Sequence, residues 1–232
     1  ADSAINAGFG SAGERCMAIS VLVAVEPVAD KLIGKITDRM AKLKIGDGRR
    51  NCDMGPLVTK EHRDKVASYI DAAISDGASV VVDGRGIKVD GEANGFWLGP
   101  TLIDKVPTSS KVYKEEIFGP VLSIICVDTL DEAIALINAN PFGNGVGLFT
   151  QSGAIARTFQ NLIDIGQVGI NIPIPVPVPF FSFTGSRGSK LGDLWPYGKQ
   201  AVQFYTQTKT ITSRWFEDSH EVGGVNTTIS LR

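Results

Sequence analysis

The first part of the chain combines strand-like apolar runs with helical stripes. Residues 19–25 form a mostly apolar run of the length expected for a buried strand. Apolar residues then recur at helical spacing, which predicts an amphipathic helix packed on a sheet: Val28, Leu32, Ile36, Met40 and Leu43. A second helix is predicted between Thr59, which can act as an N-cap, and Gly77.

The middle of the chain repeats this order of strands and helices. Further strands are predicted at residues 79–82, 121–127, 145–150 and 167–171. Thr129 has capping-box spacing ahead of one helix, Ser152 can cap another, and Cys126 is interpreted as a packing residue. Strands and helices joined by short connections predict an α/β, three-layer domain with a largely parallel sheet.

Two later segments have a different character. Residues 172–179 alternate apolar side chains with proline, which removes backbone donors and predicts a stiff, extended loop. Residues 206–215 are rich in β-branched side chains in alternation, which predicts an edge strand able to pair with another chain. The polar tail 217–232 is expected to be an extended arm or disordered.

Composition narrows the class of protein. A chain of 232 residues with 43% hydrophobic content can form one large domain or two small ones. The net charge of −2 provides no basic field for nucleic acid or an anionic membrane, and we expect neither as a partner. The sequence also lacks an apolar run long enough for a membrane span.

The cysteines and histidines make two kinds of site improbable. Three cysteines without a close pair argue against a disulfide framework, so a bacterial-type cytoplasm or another reducing compartment is expected. His62 and His220 are the two histidines, and both are expected at the surface. Without a Cys/His cluster, we predict no metal site.

One cysteine has the surroundings of a nucleophile. Cys16 follows a turn in which Gly10 and Gly13 let the backbone bend closely around a ligand. Arg15 beside the thiol favours the thiolate, which is the form that attacks carbonyl carbon. The alternative is that Cys16 is a small buried hydrophobic residue.

Two motifs resemble the signatures of the aldehyde dehydrogenase superfamily. Residues 13–18 (Gly-Glu-Arg-Cys-Met-Ala) resemble its active-site cysteine motif, and residues 115–121 (Glu-Glu-Ile-Phe-Gly-Pro-Val) resemble its second signature, in the family's order. Together with residues 169–173 and 180–185, the sequences of these motifs are similar to those of the CoA-acylating methylmalonate-semialdehyde dehydrogenases. The resemblance covers almost the whole chain.

The resemblance implies roles for particular residues. It implies that Cys16 is the catalytic nucleophile, that Glu116 holds the ribose hydroxyls of NAD, and that Phe118 packs on that ribose. It favours Arg15 as a clamp for a substrate carboxylate; the alternatives are support of the thiolate or pairing with Glu14. Without the resemblance, Glu116 is an acidic loop residue and Phe118 belongs to the core.

The resemblance also assigns the proline-rich loop and the partners. Phe180, Phe181 and Phe183 would border the substrate tunnel, or the loop is simply a rigid linker. The implied cofactor is NAD, with coenzyme A as co-substrate. A small-molecule aldehyde and a homo-oligomer, dimer or tetramer, are the implied partners.

The predicted organisation and activity follow from these assignments. Residues 1–205 would form the catalytic domain and 206–232 an oligomerisation strand and tail, with the dinucleotide-binding half absent from this chain. The implied reaction converts methylmalonate or malonate semialdehyde to propionyl-CoA or acetyl-CoA with loss of CO2. The alternatives are a hydrolytic aldehyde dehydrogenase and a self-associating module that is inactive. A phosphate-binding role for residues 143–147 is disfavoured because the GxGxxG spacing is missing.

Overall fold

A computed structural model of the protein describes residues 1–91, 94–213 and 215. Its helices are α1 (Asp2–Phe9), α2 (Ala29–Met40), α3 (Lys60–Ser75), α4 (Lys111–Lys114), α5 (Leu130–Ala139), α6 (Gly153–Leu162) and α7 (Gly198–Phe204). Its strands are β1 (Val21–Val25), β2 (Ser79–Val82), β3 (Thr101–Asp104), β4 (Val121–Val127), β5 (Phe142–Gly143), β6 (Gly145–Leu148), β7 (Gln167–Ile170) and β8 (Ser186–Arg187).

The larger sheet has the strand order β1-β4-β3-β2. Strands β1, β4 and β3 run parallel, and β2 pairs antiparallel with β3 at one edge. A separate parallel pair is formed by β6 and β7, whereas β5 and β8 make a short antiparallel pair. The predicted α/β fold with a largely parallel sheet is therefore confirmed.

Helix starts lie where the local sequence predicts them. Thr59 and Ser152 each accept a hydrogen bond from a backbone N–H in the first turn of the helix that follows. Thr129 accepts the N–H of Glu132, and the Glu132 carboxylate accepts the N–H of Asp128 at 2.9 Å. The Thr129 cap is as predicted and satisfies a donor that the helix itself leaves free, whereas Glu132 reaches one residue beyond the N-cap N–H that a capping box would use.

The core consists of two clusters of buried side chains. The larger one joins α1, α2 and α3 to the larger sheet through fully buried side chains such as Phe9, Ile36, Ile70, Leu102 and Ile124. Burial of each such side chain is worth about 1.5–3 kcal/mol. The smaller cluster packs α5 and α6 on the β6–β7 pair. Because Phe9 ends α1 inside the larger cluster, the loop after α1 starts from a fixed point.

Cys126 does not pack in the core as predicted. Its side chain is exposed, although the first five residues of β4 are buried. Strand β3 pairs only with Val121–Ser123 of β4, so at Cys126 the strand has a neighbour on one side, Ala24 of β1. The prediction was wrong because the buried part of β4 ends at Ile125, one residue before the cysteine.

The last described residues form no sheet with the other described residues. Residues 206–213 and 215 are exposed and take part in no ladder among the described residues, so pairing with a neighbouring subunit stays a prediction. The proline-rich segment 172–179 contains neither helix nor strand, as predicted. Residue His220 and the tail 217–232 lie outside the described residues.

Candidate active site

The loop of residues 10–18, here called the nucleophile loop, presents Cys16 at its tip. A 3-10 turn at Gly10–Gly13 follows α1, and the N–H of Ala18 then donates to the Arg15 carbonyl at 3.0 Å. This second turn carries Cys16 outward, and its side chain is exposed. The next residue, Met17, is buried and anchors the turn. The thiol is therefore accessible to a small-molecule reactant.

Gly13 brings the nucleophile loop against the second motif. Its φ of +71° lies in the left-handed region, and a Cβ atom there would lie 2.1 Å from the Gly119 carbonyl oxygen. The two backbones therefore meet at a distance that only glycine permits. Residues 115–121, here called the cofactor loop, and the nucleophile loop are thus in direct contact.

Asn144 holds the peptide of the candidate nucleophile. Its side-chain Nδ2 donates to the Cys16 carbonyl oxygen at 3.1 Å, across a long separation in sequence, and lies 3.1 Å from Met17 Sδ. Its Oδ1 atom is buried without a hydrogen-bond partner among the described residues. Sequence reasoning missed this residue. The glycines on either side of Asn144 were a signal of a tight turn, but not of what the turn contacts.

Arg15 is directed back towards α1. Its guanidinium donates to the Asn6 carbonyl at 2.7 Å and lies 3.4 Å from the Ala7 carbonyl, near the end of the helix. A cation is favourable there because the helix dipole leaves the carboxyl end negative. The Arg15 Nε atom is buried without a partner in the described part of the chain. The substrate-clamp role of Arg15 stays a prediction.

Glu14 and His62 join the nucleophile loop to α3. A Glu14 carboxylate oxygen accepts the Val58 N–H at 3.3 Å and lies 3.4 Å from His62 Nε2. The His62 side chain is only 20% exposed, so the prediction that it is a surface residue was wrong. Its ring is covered because it also contacts the Phe118 carbonyl, at 2.6 Å.

The cofactor loop separates its two adjacent glutamates. Glu115 accepts a hydrogen bond from the buried Tyr69 hydroxyl at 2.6 Å. Burial and this hydrogen bond raise the pKa of Tyr69 to about 12, so the hydroxyl stays protonated and donates. Glu115 and Glu116 are both exposed, and Glu115 is the one that Tyr69 holds. Phe118 is 38% exposed and has a φ of +55°, so its ring stands partly open rather than in the core.

The side chains of Glu116 and Phe118 have the properties needed to hold a nucleotide ribose. An exposed carboxylate accepts hydrogen bonds from both hydroxyls of a sugar diol. An open aromatic face beside it offers apolar contact to the sugar ring. Glu116 and Phe118 therefore fit the group that the sequence resemblance assigns to them, and they lie on the loop that touches the nucleophile loop.

The three phenylalanines of the proline-rich region have different surroundings. Phe180 and Phe181 are exposed at 83% and 67%. Phe183 packs edge-to-face against Tyr197, with Lys190 Nζ 4.2 Å from its ring centroid. The assignment of these residues to a substrate tunnel stays a prediction.

The described residues offer little support for other kinds of site. Among residues 1–91, 94–213 and 215, no cluster of His, Cys, Asp or Glu side chains could hold a metal ion. No helix in the described part of the chain is long and apolar enough to cross a membrane. The Cys126 thiol is a poor second candidate for a nucleophile, because partial burial and the carboxylates of Asp104, Glu26 and Asp30 raise its pKa.

Known proteins resemble this chain over nearly its whole length. The protein of Bos taurus called methylmalonate-semialdehyde/malonate-semialdehyde dehydrogenase [acylating], mitochondrial, is 52% identical over 215 residues, which are 92% of this chain and 40% of that protein. The crystal structure of methylmalonate-semialdehyde dehydrogenase from Oceanimonas doudoroffii matches with a TM-score of 0.90 and 50% identity, over 93% of this chain and 45% of that one.

A third match comes from a structure that contains NAD. It is the putative methylmalonate-semialdehyde dehydrogenase of Sinorhizobium meliloti 1021, with a TM-score of 0.89 and 47% identity over 93% of this chain and 44% of that chain. The chain thus spans less than half the length of these relatives. The model of the aldehyde dehydrogenase family matches residues 1–211. The chain therefore belongs to the aldehyde dehydrogenase family.

Proposed function

We propose that this chain is the thiol-bearing part of an NAD-dependent, CoA-acylating aldehyde dehydrogenase. Its substrates would be methylmalonate semialdehyde and malonate semialdehyde, and its products propionyl-CoA and acetyl-CoA. The bovine and Oceanimonas doudoroffii relatives are 52% and 50% identical to this chain, and their names support this substrate class. The observation that carries the proposal is the backbone contact between Gly13 and Gly119, because it brings the nucleophile loop and the cofactor loop together.

Cys16 performs the covalent chemistry in this proposal. Its thiolate attacks the aldehyde carbon, forming a C–S bond and an oxyanion. The backbone N–H of Cys16 is a candidate donor to that oxyanion. Loss of hydride from the resulting thiohemiacetal leaves a thioester on Cys16. Asn144 fixes the Cys16 peptide through its carbonyl, so it orients both the thiol and this N–H.

The second loop binds the cofactor. NAD, when bound, accepts the hydride from the thiohemiacetal. Glu116 accepts hydrogen bonds from the two ribose hydroxyls, and Phe118 packs against the same sugar. Tyr69 holds the neighbouring Glu115, which ties this end of the cofactor loop to α3.

The last step releases the acyl group. The thiol of coenzyme A attacks the thioester carbonyl, transfers the acyl group to its own sulfur and frees Cys16. Decarboxylation of the semialdehyde acid accounts for propionyl-CoA rather than methylmalonyl-CoA. Arg15 would bind the substrate carboxylate, for which it must leave the carbonyl groups of Asn6 and Ala7.

A complete site needs a dinucleotide-binding half in addition to residues 1–205. The relatives are more than twice as long as the matched chain, which supports this requirement. We expect the chain alone to form no NADH from methylmalonate semialdehyde, NAD and coenzyme A. The same chain fused to the N-terminal half of the Oceanimonas doudoroffii enzyme should form NADH and propionyl-CoA.

The decisive control is Cys16→Ala in that fusion, with Cys126→Ala as the matched variant. Loss of NADH formation in the first and its retention in the second are expected. Turnover that survives Cys16→Ala would refute the assignment. Production of free acid at the same rate without coenzyme A would favour the hydrolytic alternative.

A self-associating module is the second candidate, favoured by exposed apolar side chains near the end of the described chain. Tyr205, Ile211 and Trp215 are 85%, 79% and 91% exposed. Surfaces of this kind are commonly covered by a partner. Sedimentation of the isolated chain tests this candidate. The candidate requires that the chain forms stable dimers or tetramers and that the fusion shows no turnover.

A further inference from the structure

One face of helix α3 supports the whole cofactor loop. His62 contacts the Phe118 carbonyl at 2.6 Å, and Tyr69 donates to Glu115 at 2.6 Å. Between them, Val66 packs so closely on Gly119 that a Cβ atom there would lie 2.6 Å from Val66 Cγ1. Residues 62, 66 and 69 share one face of a helix, so the loop is held at three points along that face.

His62 is the member of this face that also reaches the nucleophile loop. Its Nε2 lies 2.6 Å from the Phe118 carbonyl oxygen and 3.4 Å from a Glu14 carboxylate oxygen. A carbonyl oxygen can only accept, so Nε2 carries the proton. This N–H donates to the Phe118 carbonyl on the cofactor loop, and the Glu14 carboxylate on the nucleophile loop lies within 3.4 Å of the same nitrogen, where it attracts the N–H dipole of the neutral ring.

The surroundings strengthen both contacts of His62. The side chains of His62 and Glu14 are 20% and 15% exposed, and partial exclusion of water strengthens hydrogen bonds. The His62 ring also packs edge-to-face on Phe118 at a centroid distance of 6.4 Å. Phe118 has a φ of +55°, which a bulky residue disfavours, so its carbonyl direction depends on such contacts.

We propose that His62 is a positioning residue that couples the loop carrying Cys16 to the loop carrying Glu116 and Phe118. It fixes the Phe118 carbonyl relative to Glu14, so that a displacement of either loop is transmitted to the other. The functional weight of this coupling rests on the proposed function, because the two loops then carry the nucleophile and the cofactor site.

Amide hydrogen exchange of the 232-residue chain tests the coupling without any need for turnover. His62→Leu removes the N–H, whereas His62→Gln places an amide N–H near the position of Nε2. Glu14→Ala removes the carboxylate on the nucleophile loop, together with the hydrogen bond that it accepts from the Val58 N–H. Lys65→Leu, at an exposed position of the same helix, is the matched control.

The coupling predicts a specific pattern of exchange. In His62→Leu, peptides covering residues 12–18 and 115–121 should both exchange about fivefold faster, the effect of losing one hydrogen bond. Residues 153–162 of α6 should not change. His62→Gln should restore both loops, and Glu14→Ala should loosen residues 12–18 alone. Lys65→Leu should match the original chain.

Three results would overturn the proposal. These are unchanged exchange in His62→Leu, faster exchange in only one of the two loops, and a His62→Gln variant as loose as His62→Leu. Since exchange needs neither aldehyde nor NAD, these results leave the enzyme assay of the fusion to decide the proposed function separately. If both loops exchange faster in His62→Leu but the fusion shows no turnover, the positioning role of His62 is supported and the proposed enzyme function is refuted.

Discussion

Gly13→Ala tests the contact on which the active-site assignment depends. The added methyl group would lie 2.1 Å from the Gly119 carbonyl oxygen and 2.5 Å from its carbonyl carbon. Both atoms belong to backbone, so no side-chain rotation can relieve the overlap. The two loops must separate, or the φ of +71° must change.

The loss of stability in Gly13→Ala has two contributions, and a second glycine variant of this chain separates them. A left-handed backbone costs a non-glycine residue about 1–2 kcal/mol, and overpacking adds about 1–3 kcal/mol. We expect Gly13→Ala to lower the free energy of unfolding by about 2–5 kcal/mol. Gly77 has a φ of +86° and no atom within 4 Å of an added Cβ, so Gly77→Ala reports the conformational part alone.

Urea unfolding followed by circular dichroism measures these free energies. Gly13→Ala should shift the midpoint down by about 1–2 M, and by clearly more than Gly77→Ala. Gly34 lies inside α2 with open space around it, so Gly34→Ala should instead stabilise by about 0.5–1 kcal/mol. Equal losses in Gly13→Ala and Gly77→Ala would mean that the loops separate freely and that their contact contributes nothing.

Three further predictions concern single side chains. Iodoacetamide should label exposed Cys16 faster than Cys126, whose pKa is raised, and peptide mapping that finds Cys126 modified first would contradict this. Thr59→Ala should lower the free energy of unfolding by about 1 kcal/mol by removing the α3 cap, while Thr59→Ser should not. Because the pKa of Tyr69 rises from 10.0 to about 12 on folding, the folded chain retains a proton that the unfolded chain loses. Stability should therefore fall between pH 10 and 12, and a Tyr69→Phe variant with the same alkaline slope would refute that reasoning.

Local features were predictable because their causes lie within a few residues. The caps of α3, α5 and α6 follow from the hydroxyl of Thr59, Thr129 or Ser152, which reaches a backbone N–H two or three residues away. The order of strands and helices followed from apolar periodicity in the same way. The two family motifs drew attention to Cys16 and Glu116 from short runs of adjacent residues, and the roles of both residues stay predictions.

Long-range features were missed or mistaken. Cys126 lies in an apolar strand, yet it is exposed because the buried part of that strand ends at Ile125. Asn144 contacts the Cys16 carbonyl from the turn between β5 and β6, and nothing near Asn144 in sequence specifies that partner. His62 was expected at the surface, and nothing near it in sequence specifies its contacts with Glu14 and the Phe118 carbonyl.

The sequence by itself determined the α/β class, the residues at which several helices begin and a candidate nucleophilic cysteine after a glycine-containing turn. Tertiary structure decided which groups meet: Gly13 with Gly119, Asn144 with the Cys16 carbonyl, and His62 with Phe118. The reason is physical. Capping and periodicity act over one or two turns of chain, whereas burial and hydrogen-bond partners depend on how far each strand extends and on which loops the packed core brings into contact.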